Sequence, residues 1–155
     1  MRTINEIILH CSATPEGKDY KEADIDKWHR QKGWAGCGYH FVVDLDGKVE
    51  KGRDITKSGA HCTGHNTGTI GICYIGGLAK DGKTAKDTRT AAQKDALQDL
   101  VYLLLRQYHL SLDNVKCHYQ YANKACPSFK IEAFKEEYKK AFEINKRTPN
   151  KNIIG

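Results

Sequence analysis

The chain has 155 residues, a length that suits one domain around one hydrophobic core. Its 39% hydrophobic and 28% charged content is ordinary for a soluble globular protein and argues against a disordered chain. No stretch approaches the roughly 20 apolar residues that span a membrane. The net charge of +6 favours polyanionic partners, but no basic stripe interleaved with aromatics marks nucleic acid, and none is predicted as a partner.

The N-terminus, Met1 to Glu6, lacks the basic start, apolar stretch and small-residue cleavage site of a secretory signal. The chain is therefore expected to stay in the cytoplasm until something releases it. Six cysteines are present, at 11, 37, 62, 73, 117 and 126. Reduced thiols are the default expectation without a signal, and a Cys37–Cys62 pair between two glycine-rich loops is the one alternative weighed.

In chain order, Ile7–Cys11 (IILHC) reads as a buried strand, with Ile8 and His10 on one face. Lys21–Lys32 places Ile25, Trp28 and His29 at helical spacing and should stop at Gly33. Tyr39–Leu45 and Lys48–Gly52 read as a hairpin about Asp46-Gly47. A polar loop, Ser58–Thr69, precedes a strong strand, Ile70–Ile75. Thr90 is placed to cap a long helix to Tyr108, whose Leu97, Leu100, Val101, Leu104 and Leu105 form an apolar stripe. A short strand, Asn114–Cys117, and a helix, Ile131–Phe142, complete the alternation. The expectation is a single α/β domain: a mixed sheet flanked by helices, over 1–144, with a basic frayed tail over 145–155.

Cys126 follows His118 with seven residues between them, and His10 ends the first strand. Two imidazoles and a thiolate suit zinc, and three protein ligands leave a fourth position open, as in catalytic centres. Spacing by itself leaves the alternative that His118 and Cys126 merely pack. The wider string is more specific. Ile8–Thr14 (ILHCSAT), Gly38–Val43 (GYHFVV), Gly52–Asp54 (GRD), Gly59–His61 (GAH), Asn66 with Ile70–Ile72 (IGI), and Lys124–Phe129 (KACPSF) occur in one order. On these motifs the sequence resembles the type 2 N-acetylmuramoyl-L-alanine amidase family, over roughly residues 5 to 140. That family includes small phage lysozyme-amidases, to which the likeness is greatest, and animal peptidoglycan recognition proteins.

The resemblance implies a zinc site of His10, His118 and Cys126 at one edge of the sheet. It implies Tyr39 and Lys124 as catalytic residues, with His61 and Asn66 lining the substrate groove. His40 and Arg53 are assigned structural support, and Trp28 and Trp34 are expected as core anchors. The implied reaction is hydrolysis of the amide between N-acetylmuramic acid and L-alanine in peptidoglycan, by a monomer, in phage or prophage lysis or in wall turnover. A non-catalytic peptidoglycan-binding module and a cysteine hydrolase using Cys126 and His118 are the alternatives.

Overall fold

The computed structural model describes residues 2–154. Among the described residues seven strands are present: β1 (Glu6–Cys11), β2 (Thr14–Pro15), β3 (Phe41–Val43), β4 (Val49–Lys51), β5 (Thr69–Tyr74), β6 (Gly77–Leu78) and β7 (Val115–Cys117). Three α-helices accompany them: α1 (Glu22–Gln31), α2 (Ala91–Gln107) and α3 (Ile131–Lys139). A π-helical turn, Lys140–Ile144, prolongs α3.

The main sheet has the order β4-β3-β5-β1-β7, antiparallel only between β3 and β4. It is the mixed sheet expected from the alternation of elements. β1 is nearly inaccessible on both faces, with Ile7 and Ile8 fully buried, as a parallel strand covered by helices on each side must be. Alternation sends Ile7, Leu9 and Cys11 into the larger core with α2 and α3. The opposite face packs Val42, Cys73 and Ile75 against Ile25 of α1. β2 and β6 form a separate two-residue parallel pair, which is too short to leave a period in the sequence.

Local chemistry sets the helix ends. Thr90 Oγ1 accepts from the Gln93 backbone N–H at 3.0 Å, and Gln93 Oε1 accepts from the Thr90 N–H at 2.9 Å. This reciprocal pair satisfies donors that the first turn leaves free. Gln93 also donates to the carbonyls of Val43 and Ile75, fixing α2 onto the sheet. Leu97, Leu100 and Leu104 are all but fully buried beneath α2, each contributing about 1.5–3 kcal/mol of transfer free energy. α1 stops where Gly33 takes φ +87°, a left-handed conformation that a Cβ would penalise.

The C-terminal segment expected to fray lies against α2. Arg147 pairs with Asp99 at 2.7 Å and donates to Gln98, while Ile153 and Ile154 pack on the larger core. No helix among the described residues is long and apolar enough to cross a membrane.

Candidate metal centre and active site

Parallel pairing places the two histidines side by side. β1 and β7 run in register with Leu9 opposite Cys117, so the next residue on each chain is an imidazole, His10 and His118. Both are buried. Their Nδ1 atoms lie 3.1 Å apart. Cys126 returns on the loop after His118, where its carbonyl accepts from the Tyr119 N–H at 2.9 Å. Its Sγ accepts from the Cys11 N–H at 3.2 Å and sits 3.8 Å from His10 Nδ1.

One donor atom from each of His10, His118 and Cys126 lies within 4.8 Å of the others. Bond lengths of about 2.0 Å to nitrogen and 2.3 Å to sulfur around a tetrahedral ion require donor separations of about 3.3–3.7 Å. The donor types therefore fit zinc, and their spacing, within 4.8 Å, fits it after closing by about 1 Å. Their ionisation fits as well. Burial, then the neighbouring His61, His118 and Lys124, holds His10 well below the usual imidazole range. Burial and Lys124 lower His118. Both rings are thus held toward the neutral form that a metal ligand needs. The Cys126 thiol is pushed up by its hydrogen bond to Cys11 and by burial, so only a bound cation would make it a thiolate.

Tyr39, at the entry to β3, lies with its ring centroid 5.0 Å from that of His10. Burial raises its phenol well above the ordinary value, so it keeps its proton. Lys124 lies exposed on the rim, and its charge acts on both His10 and His118. The structure thus gathers His10, His118, Cys126, Tyr39 and Lys124 at one place.

The two residues expected to line the groove are both held by hydrogen bonds within the protein. His61 is only 7% exposed, and both its ring nitrogens are engaged, with His10 at 2.8 Å and Thr69 at 3.2 Å. It sits behind His10, away from solvent. Asn66 Oδ1 accepts from the backbone N–H groups of His61 and Cys62, so it closes the loop that carries His61. His40 and Arg53 do support structure. His40 accepts from the Gly71 N–H, and Arg53 donates to the carbonyls of Cys37 and Ser58.

Trp34 is not a core anchor: the turn at Gly33 leaves it 40% exposed, with its ring 4.6 Å from that of His29. Trp28 is half-buried against Tyr20 and the smaller core. All six cysteines are free, so Cys37 and Cys62 do not pair. Nothing in the sequence marks Thr69, because a lone threonine opening a strand has no diagnostic spacing.

An α/β domain with two imidazoles at adjoining strand ends and a thiol on the loop that follows has a donor set that suits a metallohydrolase. Residues 1–129 match the family described as N-acetylmuramoyl-L-alanine amidase, and the chain belongs to that family. The endolysin of Enterobacteria phage T3 is 38% identical over 135 residues, which is 87% of each chain. The solved N-acetylmuramoyl-L-alanine amidase LysC from Clostridium intestinale URNW superposes with a TM-score of 0.75 at 28% identity, covering 88% of this chain and 85% of that one. The ectodomain complex of peptidoglycan recognition proteins LCa and LCx, solved with tracheal cytotoxin bound, gives a TM-score of 0.70 at 28% identity over 88% of this chain and 83% of that one.

Proposed function

We propose that this amidase cleaves the amide between the lactyl group of N-acetylmuramic acid and L-alanine, using a zinc ion held by His10, His118 and Cys126. Convergence of the three donor atoms within 4.8 Å carries the reading. Bound there, zinc would supply Lewis acidity that polarises the scissile carbonyl and acidifies water. Addition of water to the carbonyl gathers negative charge on its oxygen. The Lys124 ammonium on the rim stabilises that charge, which is greater in the transition state than in the substrate. The C–N bond then breaks and the leaving nitrogen needs a proton. Tyr39, which keeps its phenolic proton, donates it to that nitrogen and takes back the proton that the attacking water gives up, so the phenol is restored. Likeness to a phage endolysin supports lysis of a bacterial cell as the setting.

Digestion of purified peptidoglycan, read by mass spectrometry, tests the reaction. Free stem peptide and sugar retaining its lactyl group are expected, with loss of both on adding a chelator and in Cys126→Ser. Sugar fragments that keep their peptide would refute the cleavage site. Full turnover by metal-stripped Cys126→Ser would refute the zinc mechanism. A thiol nucleophile would survive chelation and fail only on alkylation, but the raised thiol of Cys126 argues against one.

A further inference from the structure

We infer that His61 is a positioning residue for the metal centre: with Thr69 it fixes His10 as the tautomer whose proton is on Nε2 and whose Nδ1 lone pair faces His118 and Cys126. This rests on the zinc reading above. The direction of the hydrogen-bond chain follows from its far end. Thr69 Oγ1 lies 2.7 Å from the His65 carbonyl and 3.3 Å from that of Asn66. Carbonyls only accept, and a hydroxyl has one proton, so Thr69 spends its proton there. His61 Nε2, 3.2 Å from the same oxygen, must then be the donor.

His61 is buried, and its ring nitrogens face His10 and Thr69, neither of them an acid. An imidazolium in that place would be an uncompensated buried charge. The ring is therefore neutral, with its only proton on Nε2 and a lone pair on Nδ1. His10 Nε2, 2.8 Å away, has to donate into that lone pair. Nδ1 of His10 is left free, on the side where His118 Nδ1 and Cys126 Sγ lie 3.1 and 3.8 Å away. Ligand histidines commonly have such a partner on the second nitrogen, and losing it costs about 10–100-fold in metal affinity.

Two measurements on the full chain test this. Imidazole ¹⁵N NMR reads the tautomer of His10, and competition with a chromophoric chelator reads zinc affinity. His10 is expected in the Nε2–H form with and without zinc. His61→Ala should weaken zinc binding by about 10–100-fold. His61→Asn, whose side-chain carbonyl can accept in place of Nδ1, should recover most of it. Thr69→Val removes the terminal acceptor and should populate the other His10 tautomer, a readout that remains if His61→Ala does not fold. An Nδ1–H tautomer in the unsubstituted protein overturns the inference. So does undiminished zinc affinity in folded His61→Ala. Failure of the unsubstituted chain to bind zinc, or equal binding by Cys126→Ser, would instead overturn the metal site itself.

Discussion

Gly71 lies in the buried strand β5, and a Cβ there would sit 2.6 Å from His61 Cγ, 2.7 Å from Cδ2 and 2.9 Å from Nδ1. Carbon atoms pack at about 3.5–4.0 Å, so in Gly71→Ala the ring must retreat by about 1 Å. Gly59 hugs the same ring from another side: its Cβ would lie 2.5 Å from His61 Cδ2. Overpacking of this kind costs about 1–3 kcal/mol. At about 2–4 °C per kcal/mol for a domain of this size, melting should fall by about 2–12 °C. The same retreat would stretch the 2.8 Å contact between His61 and His10 beyond hydrogen-bond reach. Circular dichroism melts of metal-stripped protein isolate the packing cost from any effect of zinc. Melting within about 1 °C of the unsubstituted chain, with the His10–His61 contact intact by NMR, would show that the ring is not confined as argued.

Two further outcomes follow from buried charge. The Arg89 side chain is 1% exposed, pairs with Asp87 at 2.9 Å and Glu137 at 3.1 Å, and lies 3.8 Å over the Phe129 ring. Arg89→Ala should lower unfolding stability in urea by about 3 kcal/mol, and Arg89→Met by less because the apolar contact survives. Asp44, also 1% exposed, has its carboxyl raised to about 8 by burial and by Glu50. Between the ordinary aspartate value of about 4 and that value, the folded state keeps a proton the unfolded chain has lost, so this group withdraws stability as pH rises. The melting temperature of Asp44→Asn relative to the unsubstituted protein should therefore climb from about pH 5 to pH 8. A difference that stays flat would refute the assignment.

Most of the fold was legible because it rests on local patterns. An apolar run identified β1, Thr90 as a cap and a leucine stripe identified α2, and both agree with the burial and capping found. The likeness around Ile8–Thr14 and Lys124–Phe129 pointed to His10 and Cys126 before any fold was known. Trp34 misled because its hydrophobicity suggested burial, while the direction of the chain after Gly33 decided its exposure.

The burial of His61 was also decided in space. A histidine in a polar, glycine-rich loop reads as solvent-facing, yet Gly59 and Gly71 leave the space that takes it inside. The sequence by itself determined where the longer strands and the helices lie, and which side chains could offer nitrogen or sulfur to a cation. Only tertiary structure decided that β1 and β7 pair so that His10 meets His118, and that Thr69 stands behind His61. Periodicity is a property of neighbours along the chain, whereas strand register and the direction of a hydrogen-bond chain belong to neighbours in space.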